Sequence, residues 1–155
     1  MKHNNCLVAQ SGGPTAAINA SLAGVISAVR DSECYELCYG AVNGILGILN
    51  GNYKNLSEEI SDETLLARLR VTPAMYLGSC RHKLPDFHTD EEPYRKIFEQ
   101  LEKLAIGAFF YIGGNDSMDT VQKLSAYAES ISSDIRIIGV PKTIDNDLCA
   151  TDHTP

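Results

Sequence analysis

One apolar run in the middle of the chain restricts the possible folds more than any other feature. Residues 108–112 read AFFYI, so an extended segment here is apolar on both faces. Such strands are typical of the centre of a parallel sheet that is covered by helices on both sides. The run ends at Gly113-Gly114, and apolar residues then recur three or four apart from Met118 to Ile131. This pattern predicts a strand, a tight turn and a helix in succession.

The same succession recurs along the chain. Apolar runs predict strands at 5–10, 35–42, 74–77, 108–112 and 135–140. Helical spacing predicts helices at 15–30, from a Ser61 or Asp62 cap through Arg70, at 90–104, and after a cap at Asp116 or Ser117. Residues 43–53 are rich in glycine and asparagine and predict a loop with at most one helical turn. Strands that alternate with helices predict an α/β fold: a doubly wound, mostly parallel, Rossmann-like sheet with helices on both faces.

Composition excludes some classes of partner. The 155 residues suffice for one domain, and the formal net charge of −7 argues against nonspecific binding to nucleic acid or to an anionic membrane. No apolar run approaches the length needed to cross a membrane, and the first ten residues lack the apolar core of a signal peptide. The five cysteines are odd in number and form no CxxC pair, which favours reduced thiols in a cytoplasm over a metal site.

The chain ends on a loop that carries a motif. No strand or helix is predicted after that loop, which closes at Pro155. We therefore expect residues 1–155 to be the N-terminal domain of a longer protein.

Two polar loops follow neighbouring predicted strands near the end of the chain. The first is 113–117 (GGNDS), and the second is 141–147 (PKTIDND). Ligands of parallel sheets bind outside the carboxyl ends of the strands, so both loops are expected to face one crevice. Backbone N–H groups and Lys142 suit phosphate, whereas Asp145 and Asp147 suit a metal ion or the proton of an attacking hydroxyl. Phosphoryl transfer requires all of these groups together, although a solvated turn is the simpler alternative.

Two further loops carry groups that bind anions. Ser11-Gly12-Gly13-Pro14 follows the first strand, and its glycines allow backbone N–H groups to approach an anion at a helix N-terminus. An ordinary tight turn is the alternative, because the chain has neither a GxxxxGK[ST] nor a GxGxxG motif. Arg81, His82 and Lys83 form a positive cluster, for which a solvated basic turn is the preferred interpretation when the cluster is taken alone. Arg81 is the preferred candidate, since a guanidinium group matches phosphate oxygens.

Four segments together resemble the phosphofructokinase family. SGGPTAAINASLAGVI, GSCR, IGGNDS and PKTIDND occur in the family's order and spacing, and the similarity runs from Ser11 to Thr154. The resemblance implies a glycolytic transferase that moves a phosphoryl group to the 1-hydroxyl of fructose 6-phosphate with Mg²⁺ as cofactor. It further implies a cytoplasmic homo-oligomer, a dimer or tetramer at full length.

The resemblance also implies roles for individual residues. Asp145 is expected to be the base that takes the proton of the sugar hydroxyl, assisted by Lys142 and Thr143. Thr143, Ile144 and Asp145 are expected to contact the sugar substrate. The donor phosphates are expected to lie against Gly12, Gly13, Arg81, Gly114, Asp116, Ser117 and Lys142. The metal is expected at Asp116, Asn115 and Asp147.

Two positions distinguish pyrophosphate from ATP as the phosphoryl donor. Relatives that use ATP resemble GGDGS and PGTIDND, with glycines where this chain has Asp116 and Lys142. Side chains there fill the volume of an α-phosphate and nucleoside, and Lys142 adds a charge for a terminal phosphate, so the resemblance implies pyrophosphate as donor. Asn115 stands where the family usually has an aspartate, and an amide is a weaker ligand for a hard cation. We therefore expect Asp116 to hold the metal.

Two other functions stay open. The chain could be an ATP-dependent phosphofructokinase or a lipid or NAD kinase with a related GGDG loop. It could also be a non-catalytic phosphate-binding or assembly module. Because the family's sugar-phosphate ligands lie mostly beyond residue 155, we expect this chain to hold the donor half of the site and to be inactive alone.

Overall fold

The apolar run that dominates the sequence forms a central strand of a five-stranded sheet. The computed structural model describes residues 4–73 and 75–143. Their strands are β1 (Asn5–Gln10), β2 (Leu37–Ala41), β3 (Tyr53–Asn55), β4 (Ile106–Gly113) and β5 (Arg136–Pro141). Their helices are α1 (Ile18–Asp31), α2 (Ile45–Leu49), α3 (Leu56–Glu59), α4 (Glu63–Val71), α5 (Glu92–Lys103) and α6 (Asn115–Ser130).

The order of the strands across the sheet is β3-β2-β1-β4-β5. β1 is parallel to β2 and to β4, and β4 is parallel to β5, whereas β3 pairs antiparallel with β2. The chain moves outward in one direction from β1 to β2 and in the other direction from β4 to β5. Ligand crevices of open α/β sheets form where the order reverses in this way, here between the carboxyl ends of β1 and β4.

Helices cover both faces of the sheet, as the sequence predicted. Leu7 and Ala9 of β1 pack on one face with apolar residues of α2, α5 and α6. Cys6 and Val8 point to the opposite face and pack with α1, α3 and α4. This alternation follows from the two-residue period of a strand, and it gives β1 a buried environment on each side.

Residues 43–59 contain more regular structure than the sequence predicted. The predicted loop at 43–53 holds α2, and the chain then forms β3 and the single-turn α3. Asn43 and Gly44 both have positive φ, of 64° and 62°, and they form the sharp turn before α2. Ile45 and Ile48 are fully buried, so packing stabilises this short helix despite its glycine-rich sequence.

The predicted strand at 74–77 was wrong for residues 75–77, which form no strand; Ala74 lies outside the described residues. The backbone N–H groups of Tyr76 and Leu77 donate instead to the side chains of Asn19 and Gln10. These partners lie far away in the chain and leave no periodic pattern in it.

The ends of two helices also differ from the predictions. α1 begins three residues later than expected, at Ile18. α6 begins at Asn115 with Gly114 as its N-cap, so Asp116 and Ser117 lie in the first turn and neither one is the cap. The Asp62 cap of α4 is confirmed, since its carboxylate accepts from the Leu65 N–H at 2.9 Å.

Within the described ranges, none of the helices has the length and apolar character that a membrane crossing needs.

Candidate active site

A cavity of about 580 Å³ opens at the carboxyl ends of the strands, where the chain order reverses. Its walls come from residues 11–15 after β1, 80–83 of the basic loop, 114–117 and 120 at the start of α6, and 142–143 after β5. The structure thereby brings together nine of the predicted residues: Gly12, Gly13, Arg81, Gly114, Asn115, Asp116, Ser117, Lys142 and Thr143. The other three, Ile144, Asp145 and Asp147, lie outside the described residues.

The two glycine-rich turns approach each other at the floor of this cavity. The Ser11 N–H donates to the Ile112 carbonyl at 2.9 Å, which ties the end of β1 to the end of β4. Gly12 has a φ of 82°, in the left-handed region that favours glycine. A Cβ there would lie 3.6 Å from the Gly114 nitrogen and 3.9 Å from the Lys142 ammonium. Its absence leaves the backbone of this turn open to a ligand.

Lys142 joins the same two turns. Its side-chain ammonium donates to the Gly13 carbonyl at 2.6 Å, and its backbone N–H donates to the Gly113 carbonyl at 2.8 Å. The residue is 4% exposed, and Lys is almost never so buried unless it is paired. The structure thus holds one positive charge in the cavity wall between the two glycine turns.

The basic loop is held against the first glycine turn. The Ser79 hydroxyl donates to the Gly12 carbonyl at 2.8 Å, and the Ser11 hydroxyl donates to the Cys80 carbonyl at 3.3 Å. These bonds place Arg81 and its neighbours in the cavity wall rather than on a free turn. The predicted positive cluster therefore faces a cavity.

Asp116 lies opposite this loop and is paired across the mouth of the cavity. Its carboxylate is 3.0 Å from the Lys83 ammonium, with both side chains more than 70% exposed. An ion pair this exposed contributes about 1 kcal/mol or less, so it opens readily to an incoming ion. Its partner, Lys83, was not among the residues predicted for the site.

The turn from β4 into α6 is tightly packed. A Cβ on Gly113 would lie 2.1 Å from the Ser117 hydroxyl oxygen and 3.0 Å from the Ser11 carbonyl oxygen. Ser117 is 2% exposed beneath this turn. The close approach places the N-terminus of α6, with the positive end of its dipole, on the cavity.

The acidic groups of the described residues offer few metal ligands. No group of three or more His, Cys, Asp or Glu side chains suited to a metal ion occurs among them. Asp116 and Asn115 line the cavity side by side and provide oxygen atoms. Mg²⁺ is commonly bound by one or two carboxylates together with substrate phosphates and water, so this donor set fits Mg²⁺ on a bound phosphate ligand.

Three buried polar residues behind the cavity were missed by sequence reasoning. Tyr111 lines the cavity floor at 1% exposure, and burial is the main cause that raises its pKa to about 12. Gln10 and Asn19 are fully buried between β1, α1 and the segment before the basic loop. The sequence did hold a signal for two of them. Gln10 is a polar residue at the end of a buried strand, and Asn19 is a polar residue on the apolar face of a helix.

Comparisons with known proteins agree on one family. The phosphofructokinase family model matches residues 5–155. Pyrophosphate–fructose 6-phosphate 1-phosphotransferase from Rhodospirillum rubrum is 46% identical over 149 residues, which are 96% of this chain and 35% of that protein. ATP-dependent 6-phosphofructokinase from Vibrio campbellii is 33% identical over 147 residues, 95% of this chain and 41% of that protein.

Solved structures give the same result. The pyrophosphate-dependent phosphofructokinase from Nitrosospira multiformis superposes with a TM-score of 0.89 at 40% identity, covering 97% of this chain and 36% of that one. Phosphofructokinase from Saccharomyces cerevisiae, at 20% identity and a TM-score of 0.72, shares the fold. The chain spans little more than a third of the length of the Rhodospirillum and Nitrosospira proteins.

Proposed function

This chain belongs to the phosphofructokinase family, and from that premise we propose that it carries the donor half of a phosphoryl-transfer site. The reaction is transfer of one phosphoryl group from pyrophosphate to the 1-hydroxyl of fructose 6-phosphate, giving fructose 1,6-bisphosphate and orthophosphate. The observation that carries the proposal is the Lys142 ammonium, buried in the cavity wall between two glycine turns. The name of the Rhodospirillum relative supports the choice of donor and acceptor.

The donor assignment rests on charge and on volume. Pyrophosphate is short and highly charged, and the cavity offers it Lys142, Arg81 and the N-terminus of α6. Asp116 lines the cavity and is more than 70% exposed. We propose that a longer nucleotide donor would have to extend past this side chain. Side chains at positions 116 and 142 thereby favour a diphosphate over a nucleoside triphosphate.

Mg²⁺ is proposed as the cofactor, held by Asp116 with Asn115 beside it and with Asp147 as a further candidate. When bound to the donor, Mg²⁺ neutralises charge on the phosphates during transfer. Asp116 must leave Lys83 to take this role, which the weak, exposed pairing allows.

The residues assigned to the acceptor sugar follow the donor cavity directly along the chain. Thr143 is 7% exposed in the cavity wall, and Ile144 and Asp145 come next in the sequence. Asp145 is proposed as the base that takes the proton of the sugar hydroxyl, and Ser117 and Gly114 as donor-binding positions beside α6. Binding of the sugar 6-phosphate is assigned mostly to residues outside this chain.

The cellular setting follows from the same family. We propose a cytoplasmic protein that assembles as a homo-oligomer at full length. The four cysteines within the described ranges are free thiols.

Calorimetry with Mg²⁺–pyrophosphate and Mg²⁺–ATP tests the donor proposal. We expect heat of binding with pyrophosphate and none with ATP. Preference for ATP would assign the chain to the ATP-dependent enzymes. Absence of binding to either donor would contradict a preformed donor half-site.

Replacing both side chains by glycine tests the volume argument. Asp116→Gly combined with Lys142→Gly removes the obstruction and one positive charge, so relative affinity should move from pyrophosphate toward ATP. Thr64→Gly with Lys54→Gly, remote from the cavity, is the matched control. A double variant that loses pyrophosphate without gaining ATP would contradict the volume argument.

A further inference from the structure

The described residues of the segment that leads to Arg81, 72–73 and 75–80, lie outside any helix or strand. Buried backbone groups need partners, so other parts of the molecule must supply most of them. The Asn43 N–H donates to the Leu77 carbonyl at 2.8 Å. Two buried side-chain amides supply partners for the N–H groups of Tyr76 and Leu77 and for the Thr72 carbonyl.

The first amide belongs to Gln10, the last residue of β1. Its Oε1 accepts from the Leu77 N–H at 2.9 Å. Its Nε2 donates to the Ile18 carbonyl at 3.2 Å and to the Asn19 Oδ1 at 3.1 Å. At 0% exposure, this side chain connects β1, the start of α1 and the segment before the basic loop.

The second amide belongs to Asn19 in the first turn of α1. Its Oδ1 accepts from the Tyr76 N–H at 2.9 Å as well as from Gln10, and its Nδ2 donates to the Thr72 carbonyl at 3.0 Å. Asn19 is 1% exposed. A carboxylate or an apolar group could not make this combination of donated and accepted bonds in a buried place.

These bonds end close to the cavity. Leu77 is followed by Gly78, whose φ is 73°, and then by Ser79 and Cys80, which bond to the first glycine turn. Gln10 directly precedes that turn in the chain. The two amides therefore fix the Arg81 loop and the Gly12 turn relative to each other from behind.

We propose that Gln10 and Asn19 are positioning residues that hold Arg81 over the donor phosphates without touching the donor. The part of this proposal that concerns the donor rests on the proposed function. The part that concerns the loop rests on the hydrogen bonds alone.

The test uses near-isosteric variants that cannot form these bonds, Asn19→Leu and Gln10→Met. If Asn19→Leu does not fold, the milder Asn19→Ser replaces it. Asn5→Leu is the matched control, because the Asn5 amide lies at the opposite end of β1 and donates to the Leu104 carbonyl at 2.8 Å. Every variant is also made in an Arg81→Met background.

Hydrogen exchange is the first readout. Urea unfolding first gives the free energy of unfolding of each variant, so that variants of equal stability are compared. Backbone amides of residues 75–83 should then exchange faster in the Asn19 and Gln10 variants than in Asn5→Leu. Unchanged exchange in this segment would overturn the proposal, whether or not any phosphate binds.

Binding of Mg²⁺–pyrophosphate is the second readout. The Kd should rise about tenfold in the Asn19 and Gln10 variants, as for a lost hydrogen bond to a charged ligand. The same substitutions should have no further effect once Arg81 is methionine. An equal loss of pyrophosphate affinity in the Arg81→Met background, or in Asn5→Leu, would overturn the proposal that the two amides act through Arg81. Absence of pyrophosphate binding by the unsubstituted protein would refute the proposed function instead, and the exchange result would still decide the role of the two amides.

Discussion

Lys142 is a lysine in unusual surroundings. It is almost completely buried, it donates to a backbone carbonyl, and it lies between two turns that lack side chains at their closest approach. An ammonium group held in this way has already lost most of its hydration, so an incoming phosphate meets a charge that needs little further desolvation. Its position therefore suits the terminal phosphate of a short donor.

Removing only this charge should weaken donor binding selectively. Lys142→Met keeps the length of the side chain, and we expect the Kd for Mg²⁺–pyrophosphate to rise about 10- to 100-fold, the worth of a hydrogen bond to a charged group. Lys54→Met is the control, because Lys54 pairs with Glu59 on the surface at 3.0 Å and is remote from the cavity. Calorimetry measures both variants, and equal affinities would exclude Lys142 from the donor site.

The cavity residues were predictable where a local rule placed them. Gly12 and Lys142 follow β1 and β5, and the rule that ligands bind at the carboxyl ends of parallel strands brings them together. Arg81 also lines the cavity, but the strand predicted before it does not form at residues 75–77. Gln10 and Asn19 were not predictable in this way, because their partners Thr72, Tyr76 and Leu77 lie 53 to 67 residues away in the chain. Only the folded structure shows that these amides bond to the backbone of a segment that was predicted to be a strand.

At the level of elements, long periodic segments were predicted well and short ones were not. α5 and β4 lie within two residues of their predicted limits, since apolar periodicity is strong in both. α2, β3 and α3 have five residues or fewer and depend on contacts with the rest of the molecule. The start of α6 was misplaced because close packing at Gly113, rather than a side-chain cap, determines where this helix begins.

Two glycines offer a test of that packing. Gly113→Ala would push a Cβ into Ser117 and the Ser11 carbonyl, and we expect a loss of about 1–3 kcal/mol in the free energy of unfolding together with weaker pyrophosphate binding. Gly24→Ala, within α1 and with open space around it, should gain about 0.5–1 kcal/mol. Urea unfolding measures both changes. If Gly113→Ala were neutral, the turn would not be as closely packed as described.

At the scale of the whole molecule, the fold class was predictable but the order of the strands was not. Alternating strands and helices predicted a doubly wound parallel sheet, and the structure confirms it. The antiparallel edge strand β3 was missed, because its three residues carry too short a pattern. The position of the reversal between β1 and β4 depends on which strands pair, and single-segment patterns do not encode pairing.

The tyrosines predict how stability depends on pH. Burial raises the pKa of four of them to about 12: Tyr53, Tyr76, Tyr94 and Tyr111. The folded protein therefore keeps protons that the unfolded chain releases near the ordinary tyrosine pKa of about 10, so the free energy of unfolding should fall as pH rises from about 10 to 12. Denaturant unfolding at several alkaline pH values, with tyrosinate absorbance as a parallel signal, measures this. Tyr111→Phe should reduce the dependence, and an unchanged slope would contradict the assignment to Tyr111.

The outer strand β5 has a consequence for any experiment on this chain. No strand pairs with its outer edge among the described residues, and Ile138, Val140 and the neighbouring Phe110 are only partly buried on one face. Exposed edges of this kind recruit other strands, and Pro141 removes only one donor from the edge. Protein concentration thus becomes a variable of every measurement, since copies that associate through β5 would alter the strand that leads to Lys142 in the cavity wall.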